Sequence, residues 1–427
     1  MSPLLHRPLL NREQLDNGLR VSVEPRPGHG RGLVAVALTV AAGSDEDPAG
    51  RHGTAHLVEH LMFPRGGGAD GGDGHAARVA GAGGVCNAET HRDRTVFHTV
   101  APAGMLDDLL GWEARRLEEF APEEAVLRTE TEVIAEEIRG GAASGRLWQT
   151  VLGALRPGSR DSYGTAGELA ETTPAEVEAF VRRHYRPGAM ALSVVGEVEP
   201  QRALERIREA FGGLPPGPSA TMDGGPPARA PETVTAALPW AADAVTAALP
   251  WAADAVAVGH LLPAPARDLP GHLAQVVLAE LVGRGRLPAL VRRDPRLTTA
   301  RVTCGLYGQW LGANAPEPVL AVLGRAPGVR AEEAAEAWTD VLRDLARRPP
   351  EAAELRRTVN ALLLAWHRGE DSLTARAVTH GHHDLFLPGS GGPAALPDAL
   401  RRTTPDSVAA AARALLAGPR SLTVLDG

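Results

Sequence analysis

The pentapeptide His56-Leu57-Val58-Glu59-His60 is the most informative part of this 427-residue chain. On a helix, side chains at positions i and i+4 share one face, and the side chain at i+3 lies beside them. Both imidazoles can therefore reach one metal ion, while Glu59 stands next to that ion without binding it. Zinc suits imidazole nitrogen, and a catalytic zinc site has three protein ligands and an open position for water. The alternative is a surface helix that carries two histidines.

A third ligand has to come from outside the pentapeptide, and its best source is the acidic run at residues 130–137. The apolar residues Ile134 and Ile138 indicate a helix with one buried side. Glu130 and Glu137 are seven positions apart, so they share a face of that helix, two turns from each other. One carboxylate can bind the metal and the other can orient a histidine. The alternative is an acidic helix face that only contacts solvent.

The pentapeptide and its surroundings resemble the family of pitrilysin, insulin-degrading enzyme and mitochondrial processing peptidase. His-x-x-Glu-His is the inverted zincin motif, and the flanking residues 53–55 and 61–63 are similar to those of the family. The resemblance implies that one Zn²⁺ per chain is bound by His56 and His60. It also implies that Glu59 is the catalytic base, which takes a proton from the attacking water and returns it to the leaving amine.

The resemblance also distinguishes the two glutamates of the acidic run. The family's third zinc ligand is a glutamate about 77 positions after the second histidine, and that position in this chain is Glu137. Glu130 then falls where the family has a glutamate that supports a ligand histidine.

A second similarity concerns a predicted strand that follows the motif. Residues 84–90, GVCNAET, are similar to the family's edge strand, which binds an extended substrate by adding it to the sheet. The resemblance implies that Asn87, Ala88 and Glu89 pair with the backbone of a substrate peptide.

The chain is long for one domain and comfortable for two of about 200 residues each. Residues 215–232 are rich in Pro, Gly and Ala, which predicts a linker. The linker separates a zinc-peptidase domain at 1–214 from a domain at 233–427, where the pattern of strands and helices restarts without a zinc motif. We expect the α+β class, with two homologous domains of mainly antiparallel sheet packed against helices. The resemblance implies that they form half of a dimeric clamshell.

Local patterns predict several elements and loops. Strands are expected at 20–24 and 33–42 before a motif helix at 54–62, and paired strands at 85–90 and 95–101 after it. The glycine-rich residues 66–84 predict a flexible loop. Residues 234–255 are an exact tandem repeat of VTAALPWAADA, which we expect to lengthen a loop or the entry to a strand. Residues 380–383, HGHH, are expected to form a polar helix end.

Composition excludes several classes of protein. The chain is 44% hydrophobic and 22% charged, an ordinary globular balance, and its net charge of -8 argues against nucleic acid and anionic membranes as partners. All 44 basic residues are arginine, which excludes Walker A and Schiff-base lysines. The two cysteines form no disulfide framework.

Residues 1–11 lack the pattern of a signal peptide, and the apolar run at 33–43 is too short to span a bilayer. We therefore expect a cytoplasmic protein.

One departure from the family bears on partners. Active members usually carry an arginine and a tyrosine seven residues apart, which grip the substrate. In the corresponding stretch, 281–307, Arg292 or Arg293 can stand for the arginine, but Thr299 and Ala300 occupy the tyrosine position. We therefore expect a heterodimer in which this chain is the zinc subunit and a homologous partner supplies the pair. A homodimer with other substrate contacts is the alternative.

The function expected from these features is that of a zinc metalloendopeptidase that cleaves peptides or small unfolded proteins in a closed chamber. One alternative is a dedicated protease that removes the leader from a ribosomally made peptide. Another is a non-catalytic structural subunit.

Overall fold

The computed structural model describes residues 10–62, 74–140, 143–219, 233–239 and 254–426. The strands within these ranges are β1 (Asn11–Gln14), β2 (Arg20–Pro25), β3 (Leu33–Val40), β4 (Val85–Thr90), β5 (Thr95–Pro102), β6 (Met190–Gly196), β7 (Thr233–Pro239), β8 (Ala255–Leu261), β9 (Leu297–Cys304), β10 (Pro318–Arg325) and β11 (Arg420–Asp426).

The α-helices of the described ranges fall between and after these strands. They are α1 (Thr54–Met62), α2 (His75–Gly81), α3 (Leu106–Glu118), α4 (Glu124–Gly140), α5 (Ala143–Leu155), α6 (Ala166–Ala170), α7 (Pro174–His184), α8 (Pro200–Phe211), α9 (Leu269–Leu281), α10 (Leu287–Val291), α11 (Ala331–Arg347), α12 (Ala352–Gly369), α13 (Leu373–Phe386), α14 (Leu396–Arg401) and α15 (Pro405–Ala417). A π-helical turn, Val282–Arg286, joins α9 to α10.

The chain forms two compact units, and each unit draws on both halves of the sequence. The first contains the described parts of Met1–Arg139, Asp161–Met222 and His367–Pro393; the second contains those of Gly140–Arg160, Asp223–Trp366 and Ala394–Gly427. Helix α13 therefore belongs to the first unit and α5 to the second. The division of the chain at 215–232 stays a prediction, because residues 220–232 lie outside the described ranges.

The two units share one sheet topology. Among the described residues, the first sheet has the order β1-β2-β6-β3-β5-β4 and the second the order β7-β11-β8-β10-β9. In the first sheet only β2 and β6 run parallel, and in the second only β7 and β11 do. Without β1, the first order matches the second strand for strand. The expected fold of two similar α+β domains with mainly antiparallel sheets is confirmed.

Strand β3 explains how the first sheet is covered on both faces. Its larger side chains, such as Val36 and Leu38, belong to the main core with α1 and α3, whereas Ala35 and Ala37 pack against Ala377 of α13. Because successive residues point to opposite faces, this pattern of large and small residues leaves room for a helix close to one face. A buried strand with both faces covered is uniformly apolar rather than alternating.

Buried charges fix α13 to this sheet. The His380 ring lies 2.8 Å from the Glu24 carboxylate, and Arg376 forms a salt bridge to the same carboxylate. Burial raises the pKa of Glu24, but the hydrogen bonds from His380 and Arg376 outweigh that effect and lower it to about 2. The expectation of a polar helix end at 380–383 needs one correction: these residues do lie toward the end of α13, but His380, His382 and His383 are buried, because α13 packs against the first sheet.

A second correction concerns the glycine-rich segment at 66–84. Residues 74–84 are described and include helix α2, so this part is not a flexible loop; His75-Ala-Ala-Arg-Val is a run of helix-compatible residues between the glycines. The rest of the segment lies outside the described residues, as do positions 240–253 of the tandem repeat. No helix among the described residues is long and apolar enough to cross a membrane.

Candidate metal centre

The loop before α1 fixes the start of the motif helix. Both carboxylate oxygens of Asp47 accept backbone N–H groups, from Gly53 at 2.7 Å and from Ala55 at 2.8 Å. This satisfies donors that a helix start leaves unpaired. Gly53 has φ +108 and lies against Gly164, where a side chain would not fit. Helix α1 buries His56, Leu57 and Val58, whereas Glu59 and His60 are half-buried.

Helices α1 and α4 bring three potential ligands together. The Nε2 atoms of His56 and His60 lie 3.7 Å and 3.6 Å from Oε2 of Glu137. Ligand atoms from these three residues all fall within 4.8 Å of one another, and the part of the chain that the structure describes contains no second group of this kind. Two imidazoles and one carboxylate are a donor set typical of catalytic zinc. The residues present therefore fit the metal.

Each imidazole is oriented through its other nitrogen. Nδ1 of His56 lies 3.1 Å from the backbone carbonyl of Tyr163, and Nδ1 of His60 lies 3.0 Å from Oε2 of Glu130. Glu130 is only 1% exposed. With Nδ1–H donating to these oxygens, each ring presents the lone pair of Nε2 toward Glu137.

The electrostatic environment of His56 also favours an imidazole that can bind a metal. Burial lowers the pKa of His56, although the nearby carboxylates of Glu59 and Glu137 act in the opposite direction. A lower pKa keeps the ring neutral near pH 7, which is the form that binds a metal ion.

Glu59 lies on α1 beside this cluster and has a partner on the sheet. The Thr90 hydroxyl donates a hydrogen bond to Oε2 of Glu59 at 2.5 Å. Glu59 is not part of the three-residue ligand group. Its position matches that of a base that stands beside a metal without binding it.

The predicted substrate strand is β4. It is the outermost strand on one side of the first sheet and, among the described residues, pairs with β5 alone. Asn87 and Glu89 are exposed and Ala88 is half-buried. Hydrogen bonds from His91 and His98 hold the pKa of Glu89 well below its usual range, although burial opposes them. The role of Asn87, Ala88 and Glu89 in binding stays a prediction.

Two contributors to the site were missed by sequence reasoning. The carbonyl of Tyr163 is a backbone group, so no side-chain pattern marks it. Its loop is shaped by Asp161, whose Oδ1 accepts the backbone N–H groups of Tyr163 at 2.8 Å and Gly164 at 3.0 Å. The available signal was Asp161 followed two and three residues on by Tyr and Gly, which is typical of an Asx-turn.

The arginine–tyrosine stretch lies in the second unit. Arg292 and Arg293 follow α10, and Thr299 and Ala300 lie on β9. Tyr307 comes after β9 with φ +53 and is 51% exposed. Thr299 and Ala300 thus occupy paired positions of β9, next to a register shift at Thr298, and the strand offers no tyrosine there.

Comparison with known proteins places this fold in one class, that of the two-domain peptidases. A family model described as Insulinase (Peptidase family M16) matches residues 29–139, and one described as Peptidase M16 inactive domain matches residues 171–362. Together they cover more than half of the chain. The chain belongs to the M16 (insulinase) peptidase family.

Individual relatives agree with this membership. The probable zinc protease PqqL of Escherichia coli is 29% identical over 218 residues, 47% of this chain and 23% of that protein. The probable mitochondrial-processing peptidase subunit beta of Arabidopsis thaliana is 26% identical over 230 residues, 51% of this chain and 41% of that protein. The chain thus spans less than half the length of these relatives.

A solved structure extends the likeness of fold to the whole chain. A protease from Helicobacter pylori matches with a TM-score of 0.80 over 99% of this chain and 100% of that chain, at 20% identity. At this level of identity the likeness concerns the fold alone.

Proposed function

We propose that the protein is a zinc-dependent metalloendopeptidase that cleaves peptides or small unfolded proteins. The observation that carries this proposal is the convergence of His56, His60 and Glu137 within 4.8 Å. A family member that had lost catalysis would have no reason to keep all three donors together with Glu59. The retained set therefore argues against a purely structural subunit.

In this proposal His56, His60 and Glu137 hold one Zn²⁺. When bound, the ion polarises the scissile carbonyl and stabilises the negative charge that develops on its oxygen. Glu130 and the Tyr163 carbonyl hold the two imidazoles in place.

Glu59 is the proposed catalytic base. Its carboxylate takes a proton from the attacking water and gives that proton to the leaving amine, so that the reaction consumes no net acid or base. Asn87, Ala88 and Glu89 on β4 bind the substrate as an added antiparallel or parallel strand. Binding through backbone groups would let the site take peptides of different sequence.

We further propose that a homologous partner completes a closed chamber. The chain has no tyrosine seven positions after Arg292 or Arg293, and a partner would supply the missing arginine–tyrosine pair. The relative from Arabidopsis thaliana is itself named as a subunit. A homodimer that uses other contacts is the alternative assembly.

Removal of a leader segment from a dedicated precursor is a second candidate function. It is favoured by the likeness to a protein named as a processing peptidase and fits a chain that requires a specific partner. A precursor gene next to the gene for this chain would favour it over general peptide cleavage.

The experiment that tests the proposal is cleavage of a mixed peptide library by the purified chain, alone and with a candidate partner. The control is Glu59→Gln, which keeps the shape of the side chain but cannot accept the proton. We expect wild-type cleavage that disappears in the variant while its zinc content is unchanged. Equal cleavage by both proteins would show that Glu59 is not the base. Activity of the chain alone would contradict the need for a different partner.

A further inference from the structure

Thr90 connects the proposed substrate strand to the proposed base. It is the last residue of β4, and its hydroxyl donates to Oε2 of Glu59 at 2.5 Å. The alternation of a strand explains this contact, because Thr90 shares a face with the half-buried Ala88, whereas Asn87 and Glu89 are exposed on the other face. Strand β4 packs against α1 through this half-buried face.

A general base depends on the position of its carboxylate. A glutamate side chain has three rotatable torsions, and proton transfer needs the oxygen within hydrogen-bond reach of the water. The rings of His56 and His60 are fixed by contacts with the Tyr163 carbonyl and with Glu130. The Thr90 hydroxyl gives Glu59 the corresponding restraint.

We propose that Thr90 is a positioning residue that orients the Glu59 carboxylate for proton transfer. Because Thr90 belongs to β4, the strand that aligns the substrate backbone also holds the base, so the scissile bond and the base are set by one element. This inference rests on the proposed peptidase function and adds to it a residue outside the zinc ligands and the motif.

The kinetic test compares three substitutions in the full chain, with its partner subunit if cleavage requires one. Thr90→Val keeps the shape of the side chain but removes the hydroxyl, and Thr90→Ser keeps the hydroxyl. Thr99→Val is the matched control, since Thr99 is a buried threonine on the adjacent strand β5, opposite Cys86, and among the described residues no hydrogen bond joins it to Glu59. The probe is a quenched fluorescent peptide taken from the cleaved members of a library.

We expect Thr90→Val to lower kcat about 10- to 100-fold with little change in KM, because substrate binding is kept while the base loses its orientation. Thr90→Ser should recover most of the wild-type kcat, and Thr99→Val should leave it unchanged. Zinc content should equal that of the wild type in all three variants. A wild-type kcat in Thr90→Val, or an equal loss in Thr90→Val and Thr90→Ser, would overturn the inference and leave the peptidase function intact.

A structural measurement separates this inference from the proposed function. If the wild-type protein cleaves no peptide under any of these conditions, the peptidase proposal fails, and crystal structures of the variants still test Thr90. We expect the Glu59 carboxylate to turn away from its wild-type position in Thr90→Val and to keep it in Thr90→Ser. An unmoved Glu59 in Thr90→Val would overturn the inference.

Discussion

At the scale of single residues, the site depends on which nitrogen of each imidazole already makes a hydrogen bond. Nδ1 of His60 is 3.0 Å from the buried Glu130, which leaves Nε2 facing Glu137. A buried carboxylate that accepts this hydrogen bond fixes the ring and makes its other nitrogen a better electron donor. In the proposed zinc site, Glu130 would thus act on the metal through His60.

Replacement of Glu130 tests this role. Glu130→Gln removes the negative charge, and we expect zinc affinity to fall about 10- to 100-fold. Competition with a chromophoric chelator measures that affinity. Glu132→Gln, an exposed position on the same helix, serves as the control and should bind zinc like the wild type. Equal zinc affinities for the wild type, Glu130→Gln and Glu132→Gln would show that Glu130 does not support the metal site.

The sequence predicted the site residues that carry side-chain signals. The spacing of His56, Glu59 and His60 follows from helix geometry, and the resemblance singled out Glu137. The Tyr163 carbonyl could not be predicted, because any residue supplies a carbonyl and only the fold of the 161–165 loop directs this one at His56. Thr90 lies in the predicted edge strand at 84–90, but its hydrogen bond to Glu59 depends on how β4 packs against α1.

At the scale of elements, α13 shows how closely a helix can approach a sheet. Gly381 faces Thr39 on β3, and a methyl group at Gly381 would collide with the Thr39 hydroxyl. The small residues Ala35 and Ala37 on the same face of β3 keep the rest of the contact close. A helix end at 380–383 was predicted from the sequence, but the place of α13 on the first sheet was not, since a local pattern does not specify which sheet a helix covers.

A pair of glycine substitutions tests this close approach. Gly381→Ala should destabilise the protein by about 1–3 kcal/mol through overpacking. The matched control is Gly111→Ala in α3, where no atom lies within 4 Å of the added methyl and helix propensity predicts stabilisation of up to about 1 kcal/mol. Thermal unfolding followed by circular dichroism measures both. Equal melting temperatures for the two variants would show that α13 does not pack as described.

The buried Glu24 makes the stability of this contact depend on pH. Its pKa in the folded state, about 2, lies below the ordinary value of 4.5, so the ionised form stabilises the fold above about pH 4.5. That contribution, of the order of 3 kcal/mol by linkage, is lost as the pH falls from about 5 toward 2. Urea unfolding at pH 7 and pH 3 should therefore show a large difference between wild type and Glu24→Gln at pH 7 and a smaller one at pH 3. A constant difference would contradict this assignment.

At the scale of the whole molecule, the first unit needs chain from both ends of the sequence. Residues 367–393 belong to the unit that contains the metal centre, and residues 140–160 belong to the second unit. The sequence indicated two domains because the pattern of strands and helices occurs twice. It gave no sign of these contributions, because the linker composition at 215–232 marks a boundary along the chain and not a partition in space.

A truncation tests the dependence of the first unit on α13. A fragment that ends at residue 222 lacks α13, so it exposes the face of β3 that carries Ala35 and Ala37 and leaves the buried Glu24 without His380 and Arg376. We expect it to bind a hydrophobic dye and to unfold without a cooperative transition. Addition of a peptide with the sequence of 367–393 should restore cooperative unfolding. A fragment that folds cooperatively without the peptide would contradict the described packing.

We propose that this chain carries one catalytic zinc ion at His56, His60 and Glu137. Anomalous diffraction at the zinc absorption edge, on crystals of the full chain grown with zinc, tests it most directly. We expect a single strong peak per chain, within bonding distance of Nε2 of both histidines and of the Glu137 carboxylate, and no such peak in Glu137→Gln. A zinc-saturated chain with its ion elsewhere, or an unchanged peak in the variant, would contradict it.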